Sequence, residues 1–178
     1  MKTAKYIIFP SIYTAILIGG QFVFSGVSGI ELVTVLLLAY CYKYGVKQGL
    51  LVANAFSLLR CFVFGFFPSV ILLYLIYYNI FAIVFGLFGN VCKNVYGKKK
   101  HIVTVLIALA MTALFTLTDN LLTPLLYGFT KSATRAYFIT SLYTLVPQLL
   151  CTLVTVAWLF PIILKILPRL KTHTAQAE

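Results

Sequence analysis

Long apolar runs separated by short polar or glycine-rich segments dominate the hydrophobic pattern of this chain. The runs lack the strict alternation of apolar and polar residues that half-buried strands show. A helix that crosses a bilayer needs about 20 mainly apolar residues. By that criterion the sequence predicts six transmembrane helices, over residues 6–24, 30–44, 49–67, 70–91, 102–122 and 136–167.

The separators contain the glycine, proline and charged residues that interrupt the apolar runs. We expect them at residues 25–29, 43–48, 66–69, 93–101 and 123–135. The second predicted helix is short and the sixth is long, and we expect Pro147 and Pro161 to kink the sixth. Residues 171–178 have the composition of a disordered tail.

Composition agrees with this pattern. The chain has 178 residues, of which 62% are hydrophobic and 10% are charged, whereas a soluble domain carries about 25% charged residues. We therefore expect an all-α integral membrane protein, with residues 1–178 forming a single six-helix domain. The net charge of +11 would suggest nucleic acid as a partner of a soluble protein, but here no nucleic-acid binding is expected.

The basic residues lie mostly on one side of the predicted membrane. Eleven of the fourteen fall in segments that six crossings place together, and Lys131 and Arg135 fall on the other side. Cytoplasmic loops carry the excess of Lys and Arg in membrane proteins. The pattern therefore predicts an even number of crossings and both termini in the cytoplasm. The eleven are Lys2, Lys5, Lys43, Lys47, Lys93, Lys98, Lys99, Lys100, Lys165, Arg169 and Lys171.

Arg60 is the remaining basic residue, and it lies inside an apolar run. A cation near the middle of a span costs about 2.5–3.5 kcal/mol on insertion scales, so such residues usually face a bundle interior and have a partner. Glu31 and Asp119 fall at the same, outer end of their predicted helices. We expect Arg60 to pair with Glu31, with Asp119 or an anionic group of a ligand as the alternatives.

Polar side chains and aromatic residues concentrate in the outer half of the predicted bundle. Aromatic walls with a few polar groups are typical of a pocket for a small organic molecule. An interfacial aromatic belt is the alternative interpretation. Asn79, near mid-membrane, could bind a ligand or could simply form a hydrogen bond between helices.

No arrangement of residues predicts catalysis. The sequence lacks an H-E-x-x-H motif, a G-x-S-x-G motif and a P-loop, and its two histidines fall on the cytoplasmic side. Four scattered cysteines without a C-x-x-C pair are expected to pack as apolar residues. We therefore predict that the protein is not an enzyme and holds neither a metal nor a cofactor.

The first predicted helix carries small residues at every fourth position, Ser11, Ala15 and Gly19. A smooth face of this kind allows close approach of another helix. The approaching helix could belong to this bundle or to another membrane subunit.

The pattern resembles the substrate-binding S components of energy-coupling factor (ECF) transporters, over about residues 12–167. The similarity lies in the small six-helix design and in four strings: GIELVTVLLLAY (Gly29–Tyr40), YGVKQGLLVANAFSLLRCFVFGFFPS (Tyr44–Ser69), LYLIYYNIFAIVFGLFG (Leu73–Gly89) and DNLLTP (Asp119–Pro124), the last before a long loop.

The resemblance implies an importer subunit in a bacterial plasma membrane that binds a water-soluble vitamin or related micronutrient at the extracellular side. Its implied partners are the bilayer, a transmembrane T subunit and two cytoplasmic ATPase subunits. The family docks through A-x-x-x-A on its first helix, where this chain has Ser11, Ala15 and Gly19. With Arg60 from the analysis above, the implied substrate-binding residues are Tyr74, Tyr78, Asn79, Asn120, Thr123 and Tyr127.

Two other functions remain open from the sequence. The first alternative is a self-sufficient small transporter or exporter that needs no ATPase subunits. The second is a membrane enzyme or an assembly factor. Co-purification with ATPase subunits would separate the importer subunit from the self-sufficient transporter.

Overall fold

A computed structural model of the chain describes residues 2–26, 32–92 and 97–176, with side chains described over 7–26, 32–92 and 97–168. Helices account for nearly all of these residues, and the described chain contains no strand. The helices are α1 (Lys2–Phe24), α2 (Leu32–Phe64), α3 (Pro68–Val91), α4 (Lys98–Tyr127) and α5 (Lys131–Gln176).

All five of these helices in the described chain are long and apolar enough to cross a membrane. The protein is therefore an all-helical chain with the character of a multi-pass membrane protein. Four of the helices coincide with predicted spans. Most of the second and third predicted spans, residues 32–44 and 49–64, instead lie together in the 33 residues of α2.

The expected separator at residues 43–48 is reduced to a single non-helical residue. Gly45 has φ 79° and ψ −178°, and a positive φ of this kind strains any residue with a Cβ. The flanking residues are helical because the segment contains no proline and no other residue that must leave the helix. The break is therefore sharp, and it divides α2 into residues 32–44 and 46–64.

The two parts of α2 fold back on each other at Gly45. In a straight helix, residues eight apart are separated by about 12 Å along the axis. A Cβ built on Gly49 would lie 2.8 Å from the Sγ atom of Cys41. That distance requires the chain to reverse its direction between these residues.

Two glycines of α3 pack directly against the backbone of the reversal. A Cβ on Gly86 would lie 2.6 Å from the backbone nitrogen of Val46, and a Cβ on Gly89 would collide with the carbonyl group of Tyr42. Only glycine leaves room for backbone contacts this close, which is the usual role of small residues where membrane helices touch. The glycines of α3 therefore determine how residues 42–46 pack.

The first part of α2 occupies the centre of the bundle. Every residue from Leu37 to Tyr42 is buried, which is the behaviour of a helix surrounded by protein on all sides. On one side, Tyr13 of α1 donates a hydrogen bond to the carbonyl oxygen of Leu36 at 2.7 Å. This burial explains why residues 35–41, in the middle of the second predicted span, are all apolar.

Contacts around Gly45 define one end of the bundle, called the Gly45 end below. The ring of Tyr44 lies 5.4 Å from that of Phe9 near the start of α1, and its hydroxyl donates to the carbonyl oxygen of Leu167 in α5 at 3.2 Å. Lys100, in the first turn of α4, donates to the carbonyl oxygen of Cys92 at 3.0 Å.

The opposite end, called the Arg60 end, contains the other turns of the bundle. The Gly65–Phe67 segment joins α2 to α3, and Pro68 occupies the first turn of α3, where its missing N–H costs nothing. At this end Gln21 of α1 contacts Tyr74 of α3, and Tyr74 contacts Phe115 of α4. The junction of α4 and α5 lies here as well.

Two expectations about loops are wrong. Residues 123–135 were expected to form a long loop, but α4 continues to Tyr127 and α5 begins at Lys131. Gly128 ends α4 in a left-handed conformation with φ 62°, so three residues suffice for the turn. The tail at residues 171–178 was expected to be disordered, but α5 extends to Gln176. The helix also continues through Pro147, Pro161 and Pro168.

The close contact at α3 leads to a prediction. Gly89→Ala should lower the free energy of unfolding by about 1–3 kcal/mol, because the added methyl group meets backbone that cannot move aside alone. The measurement is thermal unfolding of the detergent-purified protein. Gly20→Ala is the matched control, since a Cβ there meets nothing within 4 Å. Equal stability of the two variants would contradict the tight packing of α2 on α3.

Candidate functional site

Arg60 is half-buried in the second part of α2, and two aromatic rings surround its guanidinium group. The carbon atom Cζ lies 4.1 Å from the ring centroid of Tyr74 and 5.0 Å from that of Phe64. Phe64 is one helical turn after Arg60, so both side chains share a face of α2, whereas Tyr74 comes from α3. Cation–π contacts of this kind stabilise a partly desolvated arginine by about 0.5–2 kcal/mol.

The hydrogen-bonding capacity of Arg60 is not satisfied by this arrangement. Its Nε atom is buried and has no hydrogen-bond partner within the described residues. Glu31, the expected partner, lies outside the described residues, so that ion pair stays a prediction.

Gln21 completes a cluster with Arg60, Phe64 and Tyr74, called the Arg60 cluster below. Its Nε2 atom donates to the hydroxyl of Tyr74 at 3.3 Å. Its Oε1 atom is buried without a partner in the described chain. Among the described residues the cluster therefore has one acceptor and one donor without a partner, and a buried polar atom of this kind pays a desolvation penalty until it finds one.

Aromatic residues form the floor of the Arg60 cluster. The Tyr74 ring contacts Tyr78 at 5.0 Å and Phe115 at 5.9 Å. Tyr78 contacts Phe56 edge to face at 5.3 Å and is only 5% exposed. The ring of Tyr78 therefore supports Tyr74 from the protein interior.

Asn79 lies deeper than the Arg60 cluster and pairs with Asn54. Each amide donates to the other, at 2.9 and 3.0 Å, and each also donates to the carbonyl oxygen four residues earlier in its own helix. Both amide groups are thus occupied by protein partners. The structure gives Asn79 the interhelical role that the sequence left open, and Asn54 is the partner that the sequence analysis missed.

A ladder of polar contacts runs along the interface of α4 and α5. Residues at every fourth position of α4 face polar residues of α5, with distances of 3.1, 3.4 and 2.7 Å. The pairs are Thr112 with Thr152, Thr116 with Gln148, and Asn120 with Ser141. The Oδ1 atom of Asn120 is a third buried atom without a partner among the described side chains.

Asp119 is bonded to hydroxyl groups and not to Arg60. Tyr137 donates to its Oδ2 atom at 2.6 Å, and Thr123 donates to its Oδ1 atom at 2.7 Å. Thr123 therefore has a partner within α4. Tyr127 is 49% exposed at the end of α4 and stacks on Phe129 at 6.3 Å.

The small face of α1 points away from the bundle. Ser11, Ala15 and Gly19 are all exposed, and a Cβ on Gly19 would meet nothing within 4 Å. The opposite face of α1 packs inward through Phe9, Tyr13 and Leu17. Of the two interpretations that the sequence allowed, packing within this bundle is wrong for these three residues.

The predicted substrate-binding residues thus fall into separate groups. Arg60 and Tyr74 contact each other, Tyr78 supports them, and Asn79 is occupied by Asn54. The remaining candidates, Asn120, Thr123 and Tyr127, lie in the last turns of α4, toward the Arg60 end. The Arg60 cluster is the group best arranged to bind a small polar molecule, because it combines aromatic rings with unpaired polar atoms. No family model, curated protein or solved structure matches this chain.

The amide pair leads to a second prediction. Asn54→Leu and Asn79→Leu should each destabilise the protein, because each leaves the other amide with unsatisfied groups between helices. The double variant should lose less stability than the sum of the two losses, by about 0.5–2 kcal/mol. Thermal unfolding measures all four proteins. Thr118→Val is a control, since the Thr118 hydroxyl bonds only within its own helix, and additive losses would argue against the pairing.

Proposed function

We propose that this protein is the substrate-capture S component of an ECF-type importer, which binds a water-soluble vitamin or related micronutrient at the extracellular side of a bacterial plasma membrane. The observation that carries the proposal is the Arg60 cluster. It contains a cation and an amide, each with a buried atom that has no partner among the described residues, next to aromatic rings at one end of the bundle. Such polar groups are costly in lipid and usually belong to a functional site.

We also propose six membrane crossings with both termini in the cytoplasm. The reversal at Gly45 supports this topology, because the two parts of α2 then cross in opposite directions. The distribution of charge supports it as well. Lys43, Lys47, Lys98, Lys99, Lys100 and Lys165 all lie near the Gly45 end, as the positive-inside rule requires for a cytoplasmic face.

The topology can be tested with reporter fusions. A fusion after Gln176 should report a cytoplasmic C-terminus if α2 crosses twice, whereas a single crossing by α2 would place it outside. A fusion after Gln48 should also be cytoplasmic, and one after Phe67 should be external. An external C-terminus together with a cytoplasmic reporter after Phe67 would contradict six crossings.

The importer assignment requires partners that supply energy. The sequence contains no P-loop, so ATP hydrolysis must come from other chains, and we assign no catalytic step to this one. In the proposed complex the two ATPase subunits act through a T subunit. The exposed small face of α1 supports docking of that subunit, because small residues allow the close approach on which association in lipid depends.

Bulky substitutions on α1 test the proposal. Ala15→Trp and Gly19→Leu should reduce uptake of a vitamin at least tenfold, because a large side chain keeps the T-subunit helix at a distance. Substrate binding by the isolated protein should be unchanged, since both positions are on the exposed face of α1, whereas Gln21 of the Arg60 cluster faces Tyr74 of α3. Uptake in cells and binding to purified protein are the two measurements.

Leu106→Trp is the matched control for this experiment. Leu106 is 60% exposed on α4, so the substitution adds comparable bulk to a different outward face. Loss of folding or substrate binding in the α1 variants would exclude the docking role. Normal uptake by them would favour the self-sufficient transporter instead.

A further inference from the structure

We propose that the substrate carries a negatively charged group, a carboxylate or a phosphate, and that Arg60 binds this group directly. The inference rests on the proposed function, because it concerns the molecule that the importer would capture. It goes beyond that function by fixing the charge of the substrate and the residue that recognises it. Three features of the Arg60 end carry it.

The first feature is that the contacts of Arg60 with two aromatic rings leave a donor of its guanidinium group unused. Cζ lies 4.1 Å from the ring centroid of Tyr74 and 5.0 Å from that of Phe64, and a guanidinium group has five N–H donors in its plane. The Nε donor is buried without a partner among the described residues. A planar fork held in this way is suited to two parallel hydrogen bonds with one carboxylate or phosphate group.

The second feature is the absence of a counterion for Arg60 in the described structure. Asp119 is the one carboxylate among the described side chains, and two hydroxyl groups already bond it. A buried donor of a cation at membrane depth is costly while it has no partner, so an anion that bonds the Nε atom of Arg60 removes that cost in addition to forming its own bonds.

The third feature is a second group of cations at the same end of the bundle. Lys131 and Arg135, in the first turns of α5, line a surface depression of about 410 Å³ together with Phe129, Thr134 and Phe138. Basic residues are usually scarce on the outer side of a membrane protein. Positive charge combined with aromatic walls would attract an organic anion before it reaches Arg60.

The chemistry of the walls restricts the substrate further. Tyr74 and Phe64 can pack against a ring, while the Oε1 atom of Gln21 is a buried acceptor that lacks a donor within the described chain. The substrate class is therefore a small aromatic or heterocyclic acid or phosphate ester that also has a hydrogen-bond donor.

Matched pairs of probes test the charge requirement. 4-Aminobenzoate with 4-aminobenzamide, biotin with biotinamide, and pyridoxal phosphate with pyridoxal differ mainly in an anionic group, and each anionic member also has a hydrogen-bond donor. Thermal stabilisation and equilibrium binding are measured with the purified full chain in neutral detergent. We expect at least one anionic member to bind and to bind at least tenfold more tightly than its neutral partner.

Variants of Arg60 then assign the contact. Arg60→Gln should weaken binding of that anionic probe about 30-fold or more, and Arg60→Lys about tenfold, because lysine keeps the charge and loses the planar fork. Lys165→Gln removes an exposed charge near the Gly45 end and should leave binding unchanged. The comparison within each probe pair uses the wild-type chain, so it does not depend on the folding of any variant.

Several results would overturn the inference. These are equal or tighter binding of the neutral probes, equal binding by Arg60→Gln, and failure of every anionic probe to bind. A further such result would be that nanodiscs of phosphatidylglycerol raise the unfolding temperature of the wild-type chain but not of Arg60→Gln, while no soluble probe does so. That result would assign the anionic group to a lipid. Failure of the importer proposal can be distinguished from failure of the anionic-substrate proposal. ATPase-dependent uptake of a neutral vitamin would support the importer function and exclude only the requirement for a negative charge.

Discussion

The reversal of α2 at Gly45 against α3 is the constraint on which the rest of the structure depends. In lipid, backbone groups must be satisfied internally, so a turn between helices has to be short or buried in protein. Gly86 and Gly89 let the backbone of residues 42–46 pack directly on α3. That contact sets the register between the second part of α2 and α3. The same register brings Asn54 opposite Asn79 and Arg60 beside Tyr74.

The Arg60 cluster lies on a well-packed part of the bundle but contains polar atoms without hydrogen-bond partners among the described residues. Below it, the amides of Asn54 and Asn79 bond each other, and the rings of Phe56 and Tyr78 pack edge to face. Within it, Arg60 Nε and Gln21 Oε1 lack partners among the described residues. Natural proteins violate local rules of polar satisfaction mainly at functional sites. The contrast between these two layers is the physical basis for placing substrate binding at the Arg60 end.

Much of the architecture could be predicted from the sequence, because hydrophobicity and length identify membrane helices directly. Arg60 was singled out in the same way, from a charge inside an apolar run, and the structure places it against the rings of Phe64 and Tyr74. The hydrogen-bond partners of individual side chains could not be predicted, since they depend on the register between helices. Nothing local in the sequence shows that Asn54 meets Asn79, although two mid-span amides in neighbouring helices are a signal that could have suggested it. The loop at 123–135 was wrongly predicted because its polar residues bond within and between helices, as Thr123 does with Asp119.

Capture of substrate for ATPase partners can be tested by affinity purification of the tagged full chain from its own cells in mild detergent, followed by mass spectrometry and an uptake assay in proteoliposomes. We expect a T subunit and two ATPases with P-loop sequences in the purified complex, and uptake only when ATP is supplied to that complex. A chain that purifies without ATPases and transports the same substrate alone in proteoliposomes would contradict this proposal.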